Sequence, residues 1–241
     1  MKTAFFVSTG RTGTDFFTDL FNNVIENTWS LHEPKPAFRT RGHRLMSHKH
    51  STYEKYYFSL PRRAWQMKHE EEWYVETNYH LFAAIPLLRD AFPDALVFHI
   101  IRDGRDVVTS WLNRMRYINN DHMTPFDVKD DPAQALWHTW SPLQKLAWYW
   151  KTVNEHAIAN SPDMVIKFED VFKNDKEKIF EILDQFEGIS YDKEKVREAM
   201  NRKVNKNKSD FFPKYSEWPS HWKEQFWEIA GETMEKYGYT A

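Results

Sequence analysis

Short apolar runs alternate with segments of helical periodicity along most of the chain. The first run, residues 3–8, has the length of a buried strand, and a turn of small residues separates it from residues 15–21, whose apolar positions have helical spacing. The same order recurs further along the sequence. The predicted strands are residues 3–8, 28–31, 73–77, 95–101 and 164–168. The predicted helices are residues 15–21, 81–92, 107–117, 136–159, 176–186, 193–201 and 220–237.

Strands that alternate with helices predict an α/β fold with a parallel sheet covered by helices on both faces. No repeat, low-complexity tract or flexible linker divides the chain, so residues 1–241 are expected to form a single domain. Two basic, aromatic or proline-containing segments, residues 37–72 and 117–142, fit the alternation poorly, and we interpret them as insertions over the sheet edge. The strand at residues 28–31 is expected to run beside the first strand.

Charge and composition exclude several classes of function. With 33 basic and 35 acidic residues the net charge is −2, which does not indicate nucleic-acid binding. The absence of cysteine excludes disulfides, thiolate catalysis and sites built on cysteine ligands. No apolar stretch approaches the roughly 18 residues of a membrane helix, and the first residues lack a signal-peptide cleavage pattern. We therefore expect a soluble, cytoplasmic protein that does not associate with membranes.

The turn after the first predicted strand has the composition of an anion-binding loop. Residues 8–14 are Ser-Thr-Gly-Arg-Thr-Gly-Thr, and they contain two of the seven glycines of the chain. Backbone N–H groups and the dipole of the next helix can bind an anion there, while hydroxyls and Arg11 add donors and charge. The two glycines are three residues apart and no lysine follows, unlike in a Walker loop. A kinase-type triphosphate site is therefore disfavoured.

A second basic position follows a later strand. Arg102 comes directly after the predicted strand at residues 95–101, and Ser110 lies eight residues further on, in the predicted helix. Open parallel sheets bind ligands beyond the carboxyl ends of their strands. Arg102 and Ser110 are therefore expected to converge on one phosphate at that edge of the sheet.

Taken together, residues 8–14 and 98–110 resemble the two phosphate-binding segments of the sulfotransferase family, which uses 3'-phosphoadenosine 5'-phosphosulfate (PAPS) as sulfuryl donor. Weaker similarities extend the resemblance over most of the chain outside the two insertions. The resemblance implies a P-loop NTPase-like three-layer domain and in-line transfer of a sulfuryl group to a hydroxyl, with an amine as second choice. The implied acceptor is a small molecule or a carbohydrate, and the implied product is 3'-phosphoadenosine 5'-phosphate (PAP). No metal is expected.

The resemblance also assigns residues to the donor. It implies that the loop holds the 5'-phosphosulfate and that Arg102 and Ser110 hold the 3'-phosphate. Arg11 stands where many family members have lysine, and because a guanidinium keeps its proton, its implied role is electrostatic. The loop residues assigned in this way are Thr9, Gly10, Arg11, Thr12, Gly13 and Thr14. A basic C-terminal loop closes over the donor in the family, and the matching candidates are Arg202, Lys203, Lys206 and Lys208.

One general base must accept the proton of the acceptor. His32 and Glu33 follow the predicted strand at residues 28–31, which puts them at the carboxyl edge of the sheet, on the acceptor side of the loop. Tyrosylprotein sulfotransferases use a glutamate at a similar point, so the resemblance favours Glu33, with His32 second. His80, shortly after the next strand, is the third candidate.

Two other functions stay open from the residues alone. A P-loop kinase or nucleotide hydrolase needs a Mg²⁺-binding aspartate, for which Asp103 is a candidate. A non-catalytic nucleotide-binding or glycan-binding protein on the same fold would give His32 and Glu33 no chemical role. Other histidines do not indicate a functional site. His99 lies inside an apolar strand and is expected in the core. The histidines between residues 43 and 50 lack the spacing of metal ligands.

Overall fold

The computed structural model describes residues 1–118, 123–202 and 211–241. Within these residues, five parallel strands form one sheet and two short strands form an antiparallel pair. The strands are β1 (Lys2–Ser8), β2 (Ile25–Glu26), β3 (Thr28–His32), β4 (Trp73–Thr77), β5 (Leu96–Ile101), β6 (Met164–Lys167) and β7 (Ser190–Tyr191). The α-helices are α1 (Thr14–Asn23), α2 (Arg39–Arg44), α3 (Thr52–Gln66), α4 (Ile85–Ala91), α5 (Gly104–Leu112), α6 (Ala133–Leu136), α7 (Pro142–Ala159), α8 (Lys178–Leu183), α9 (Lys193–Asn201) and α10 (Ser220–Lys236). None of these described helices combines the length and the apolar character that crossing a membrane requires.

The strand order of the large sheet is β3-β4-β1-β5-β6, and all four pairings are parallel. The prediction that the strand at residues 28–31 runs beside the first strand is wrong, because β4 lies between them. Every residue of β4 is buried, whereas the residues of β3 alternate between buried and more exposed positions. A strand covered on both faces belongs in the interior of a sheet, and an alternating strand belongs at its edge.

Successive side chains of β1 point to opposite faces of the sheet and contribute to different parts of the core. Ala4 and Phe6 pack with α1, α8 and α9. Phe5 and Val7 pack on the other face, where α3 and α4 lie. Helices therefore cover both faces of a parallel sheet, which confirms the three-layer α/β fold predicted from the alternation of elements.

Helix α5 differs from its prediction at both ends. The sequence predicts a helix at residues 107–117, whereas α5 begins at Gly104 and ends at Leu112. Its start is fixed by Asp103, whose side chain accepts a hydrogen bond from Arg105 N at 2.9 Å. Because the cap follows β5 so closely, the first turn of α5 lies directly at the carboxyl edge of the sheet.

The helix predicted over residues 136–159 begins six residues later than predicted, and only its first predicted residue belongs to another helix, α6. α6 ends at Leu136, and α7 begins at Pro142 behind a capping box formed by Ser141 and Gln144. A capping box with proline at the first helical position starts a new helix, so the apolar periodicity is interrupted there. Helices α4 and α8 are likewise shorter than predicted, and each follows a 3₁₀ or π-helical turn.

Residues 37–72, interpreted as an insertion, contain α2 and α3. Arg62 of α3 donates to the carboxylate of Glu76 in β4 through Nε at 2.6 Å and Nη2 at 2.7 Å, and both side chains are fully buried. The guanidinium carbon also lies 3.7 Å from the centre of the Phe58 ring. A buried pair of this kind fixes its two elements, because loss of one partner leaves an uncompensated charge. The insertion at residues 37–72, like that at residues 117–142, stays a prediction.

Candidate functional site

In the loop between β1 and α1, residues 8–14, two groups form hydrogen bonds to the side chain of the first residue, Ser8. Gly10 N donates to Ser8 Oγ at 3.0 Å, and Thr12 Oγ1 donates to the same oxygen at 2.8 Å. Gly10 has a φ of +75°, and a Cβ on it would lie 2.8 Å from Trp111 Cζ2. Both the backbone conformation and the neighbouring ring therefore require glycine there. Since α1 begins at the end of the loop, the positive end of its dipole lies at the loop.

The two predicted phosphate-binding segments meet at one point. Arg11 Nε donates to Ser110 Oγ at 2.9 Å, and Arg102 Nη1 donates to the carbonyl oxygen of Arg11 at 2.7 Å. Arg102 also pairs with Asp106 at 3.1 Å, and its guanidinium lies 4.5 Å from the centre of the Phe168 ring. The structure therefore brings the loop arginine, the arginine after β5 and the serine of α5 into one hydrogen-bonded unit.

Positive charge is concentrated in this unit. Burial lowers the pKa of Arg11, and the charges of Arg114 and Arg102 lower it further. Clustered cations of this kind are stabilised by a bound anion. Arg102 Nε is buried and has no hydrogen-bond partner among the residues that the structure describes. A buried donor without an acceptor costs free energy, and an anionic ligand would supply the acceptor.

A cavity of about 520 Å³ opens beside these cations. A larger cavity, about 630 Å³, is lined by residues of α6, α7 and α10 and contains none of the predicted site residues. We therefore take the smaller cavity as the ligand site, because it alone of the two contains the clustered arginines. Its lining residues are Arg11, Arg102, Asp106, Thr109, Ser110, Asn113, Phe212, Pro213, Lys214 and Glu217.

Asn113 and Phe212, which line this cavity, are not among the site residues predicted from the sequence. Phe212 N donates to Asn113 Oδ1 at 2.7 Å, so the chain after α9 is fastened to the end of α5. Asn113 follows Ser110 by three residues and so lies on the same side of the helix, which is a signal that the sequence contained. Phe212 has no such signal, because only the tertiary contact brings it to the cavity.

The three candidates for a general base lie together at the carboxyl ends of β3 and β4. His32 Nε2 is 3.4 Å from Glu33 Oε1, and His80 Nε2 is 3.7 Å from Glu33 Oε2. Arg39 Nη2 lies 3.8 Å from the latter oxygen. Glu33 has a φ of +45°, and its N–H donates to the Thr77 carbonyl at 2.9 Å. The structure thus groups the predicted candidates around the Glu33 carboxylate.

Asp15, in the first turn of α1, belongs to this cluster although sequence analysis missed it. Asp15 Oδ1 lies 2.9 Å from His32 Nε2. On the other side of the ring, His32 Nδ1 is 2.8 Å from Thr77 Oγ1, which is 2.6 Å from Thr18 Oγ1. Both ring nitrogens of His32 therefore have partners within the protein. An aspartate at a helix start is so often a dipole partner that its position alone does not indicate such a role.

The surroundings of Glu33 and His32 shift the pKa values of both side chains. Burial raises the pKa of Glu33, and the charges of His32 and Arg39 lower it in part. Burial lowers the pKa of His32, but its hydrogen bond to Asp15 and the charges of Asp15 and Glu33 outweigh this effect, so that the pKa is raised. A raised pKa is typical of carboxylates that act as general bases.

The other predicted residues lie elsewhere. Arg202 is exposed after the end of α9 and does not line the cavity. Three lysines of the predicted basic loop fall outside the described residues: Lys203, Lys206 and Lys208. His99 is fully buried in β5 and hydrogen-bonds to Asn154 at 2.9 Å, which confirms the predicted core position. Among residues 1–118, 123–202 and 211–241, no group of three or more histidine or acidic side chains is arranged to hold a metal ion.

Comparisons with known proteins agree with this geometry. A model of the sulfotransferase family matches residues 4–193. No curated protein matches the chain. A solved sulfotransferase from Alicyclobacillus acidocaldarius aligns with 98% of this chain and 94% of its own, at 14% identity and a TM-score of 0.52. The mouse sulfotransferase SULT7A1, solved in complex with PAP, aligns with 97% of this chain and 85% of its own, at 13% identity and a TM-score of 0.58. At these identities the two structures establish a shared fold.

Proposed function

The chain belongs to the sulfotransferase family, and we propose that it transfers a sulfuryl group from PAPS to a hydroxyl of a small-molecule or carbohydrate acceptor, with an amine as second choice. The observation that carries this proposal is the unit of Arg11, Ser110 and Arg102, in which the anion loop and the second basic position share hydrogen bonds. Two guanidinium groups, one bonded to the Ser110 hydroxyl and the other to the Arg11 carbonyl oxygen, suit a ligand with two separate anionic groups.

The residues at the cavity fit a nucleotide with anionic groups at its 3' and 5' positions. We assign the 5'-phosphosulfate to the loop backbone and Arg11, and the 3'-phosphate to Arg102 and Ser110. The buried Arg102 Nε and Thr109 Oγ1 have no hydrogen-bond partners within the described residues and offer two further donors. Phe212, in the cavity wall, offers an aromatic ring to the base. The complex of the mouse protein with PAP supports the same class of ligand here.

When PAPS is bound, it supplies an activated sulfuryl group, whose bond to the 5'-phosphate breaks as the acceptor oxygen bonds to sulfur. For such in-line transfer, the protein contributes mainly orientation and stabilisation of negative charge. Arg11 would attract the sulfuryl and leaving-group oxygens as a fixed cation, since its guanidinium does not release a proton near neutral pH. The loop amides and the N-terminus of α1 would add donors for the same oxygens.

We propose that Glu33 accepts the proton of the acceptor hydroxyl. Its burial and raised pKa favour proton uptake, and it lies at the carboxyl edge of the sheet. His32 is the second candidate, because its two ring nitrogens are already engaged by Asp15 and Thr77. His80, at 3.7 Å from Glu33, is the third.

Thermal unfolding with PAP, with ATP and Mg²⁺, and with AMP tests the donor assignment. At a hundred times its dissociation constant a ligand stabilises the folded state by about 2.7 kcal/mol, which raises the midpoint of a chain of this size by roughly 5 to 10 °C. We expect this shift with PAP, a much smaller one with ATP or AMP, and its loss in Arg102→Ala. Ser110→Ala is a milder second variant, and Arg197→Ala, on the exposed side of α9, is the control.

Two outcomes contradict the proposed function, and a third contradicts only the assignment of the 3'-phosphate contacts. A larger shift with ATP than with PAP would favour a kinase or hydrolase over a sulfotransferase. No shift with any nucleotide would mean that the cavity binds another class of ligand, despite its arginines. If PAP still raises the unfolding midpoint of Arg102→Ala and Ser110→Ala, the protein binds PAP, but these two residues do not hold its 3'-phosphate.

A further inference from the structure

Arg116 is a buried cation that has no acidic partner among the described residues. Its residue surface is 4% exposed. In the parts of the chain that the structure describes, tyrosines and no carboxylate act on its charge, among them Tyr117 through a side-chain hydrogen bond. Its Nε and Nη1 atoms are buried without hydrogen-bond partners among these residues. Buried arginines are normally paired, because an isolated charge in the interior is costly. The charge of Arg116 therefore needs another interaction to stabilise it.

Aromatic rings replace the missing carboxylate. The guanidinium carbon of Arg116 lies 4.2 Å from the centre of the Tyr149 ring and 4.4 Å from that of Trp111, with Tyr117 at 5.5 Å. Burial lowers the pKa of Arg116, but the oxygens of Tyr149, Tyr117 and Tyr79 outweigh this effect, and the pKa is raised. The side chain therefore stays protonated. Cation–π contacts stabilise it, yet they do not neutralise its charge.

The same rings connect Arg116 to the anion loop. Trp111 Nε1 donates to the Thr9 carbonyl at 3.3 Å, and the Tyr149 hydroxyl donates to the same oxygen at 3.1 Å. Trp111 is also the ring that a Cβ on Gly10 would meet. The guanidinium thus lies one ring behind the first half of the loop, in surroundings of low dielectric constant where charge acts over a longer distance.

The backbone around Arg116 is held in an unfavourable conformation. Met115 and Tyr117, on either side of it, both have a φ of +58°. Left-handed conformations at residues other than glycine cost free energy and are concentrated at functional sites. Arg11 and Glu33, which the proposed function uses, have the same kind of conformation, with φ of +61° and +45°.

We propose that Arg116 is a donor-binding residue that acts from behind the loop: its uncompensated charge attracts the 5'-phosphosulfate, whose negative charge offsets it when the donor binds. This inference rests on the proposed function, because it assumes that the loop holds the 5' group. It adds Arg116 to the loop amides and Arg11 as a determinant of affinity for the 5' charge, while Arg102 and Ser110 recognise the 3'-phosphate. At a separation of one ring, a unit charge changes the affinity for an anion by roughly tenfold.

Calorimetric titration of Arg116→Met and Arg116→Lys with PAP and with adenosine 3'-monophosphate tests the inference. Methionine has a similar length and no charge, and lysine keeps the charge. We expect Arg116→Met to bind PAP roughly tenfold more weakly than the wild type, to bind adenosine 3'-monophosphate unchanged, and to unfold at the same or a higher temperature without ligand. Arg116→Lys should retain most of the PAP affinity. Arg197→Met, on the surface, is the control.

The outcomes separate the two proposals. If the wild type does not bind PAP, the proposed function fails and this inference fails with it. If the wild type binds PAP and Arg116→Met binds it equally well, only the inference is overturned. Equal weakening of both nucleotides, or a marked loss of unliganded stability in both variants, would show that Arg116 is structural and would also overturn it.

Discussion

At the scale of single residues, Glu33 differs from an ordinary surface carboxylate in three measurable ways. Its backbone is left-handed, its side chain is 18% exposed, and three cationic or titratable side chains lie within 3.8 Å of it. His32 is less suited to accept a proton, because Asp15 and Thr77 already engage its two nitrogens. Glu33 is therefore the residue whose substitution best separates chemistry from binding.

We expect Glu33→Gln to lower kcat by about a hundredfold or more and to leave PAP affinity unchanged, because general bases contribute roughly 10²- to 10⁴-fold. Glutamine keeps the shape of the side chain and removes only its ability to accept the proton. The measurements are steady-state kinetics with an accepted hydroxyl compound and calorimetric titration with PAP. Glu70→Gln, an exposed glutamate, is the control. Full activity in Glu33→Gln, together with inactivity in His32→Ala, would transfer the role to His32.

The pH dependence of the rate offers a second test at this scale. A base must be deprotonated to act, so kcat should fall as the pH drops through the pKa of Glu33, which burial raises above its ordinary value. Arg39 lowers that pKa, and the guanidinium lies 3.8 Å from Glu33 Oε2. Arg39→Ala should therefore move the acidic limb of the profile to higher pH. Arg63→Ala, on α3, is the comparison; a limb that shifts equally in both variants would contradict the assignment.

At the scale of elements, the loop between β1 and α1 depends on a contact with α5. In Gly10→Ala, an alanine would have to adopt the left-handed backbone conformation of Gly10, and its Cβ would lie 2.8 Å from the Trp111 ring. We expect it to lower the free energy of unfolding by about 1 to 3 kcal/mol and to abolish the thermal shift with PAP, because the loop must move away from the ring. Denaturant unfolding and thermal shift measure the two effects.

Gly238→Ala is the matched control for that substitution. Gly238 has a φ of +74° at the end of α10, and the nearest atom to an added Cβ is the end of a flexible lysine at 3.4 Å. The backbone strain is therefore similar, but the clash and the loop are absent. We expect a loss of about 1 kcal/mol with a normal PAP shift. A normal PAP shift in Gly10→Ala as well would contradict a role of this loop in donor binding.

Elements with clear local signals are predicted best from this sequence. β4 and α9 have the predicted bounds, residues 73–77 and 193–201. For α9 the signal is Asp192, which caps the helix by accepting from Glu194 N at 2.8 Å. The start of α7 also has a local signal, the capping box of Ser141 and Gln144, which apolar periodicity does not include. By contrast, the order of β3 and β4 depends on tertiary packing, which periodicity alone does not encode.

The site, like the elements, is predictable only where the position of a residue along the sequence determines its place in the fold. Parallel strands end at one edge, so Arg11, Glu33 and Arg102 could be placed together from strand positions. The positions of Asp15 and Arg116 in the site could not be predicted, because they depend on which side chains other elements bring to them. Arg116 in particular has no distinctive sequence context, and only the structure shows that it is buried among aromatic rings, with no acidic partner in the described parts of the chain.

At the scale of the whole molecule, the strand order divides the site into two halves. β1 and its loop lie in the middle of β3-β4-β1-β5-β6. β3 and β4 carry the base candidates to one side of the loop, and β5 carries Arg102 to the other. Under the proposed function, an acceptor and the nucleotide part of the donor would approach the loop from opposite directions, as in-line transfer needs.

The same sheet makes the stability of the molecule depend on pH through His99. Complete burial in β5 lowers its pKa to about 4, despite the hydrogen bond to Asn154. Between about pH 6.5 and pH 4 the unfolded chain binds a proton at this position and the folded chain does not, so stability falls as the pH drops. The loss is at most about 1.4 kcal/mol per pH unit, or about 3 kcal/mol over the window.

Urea unfolding of the wild type and of His99→Gln between pH 4 and 8 measures this effect. Glutamine can keep a hydrogen bond to Asn154 but does not titrate, so the stability difference between the two proteins should change with pH below about 6.5 and stay constant above it. His48→Gln, an exposed histidine, should instead parallel the wild type. Parallel curves for the wild type and His99→Gln would mean that the buried imidazole gains its proton without unfolding, and β5 would then be more open to water than its packing indicates.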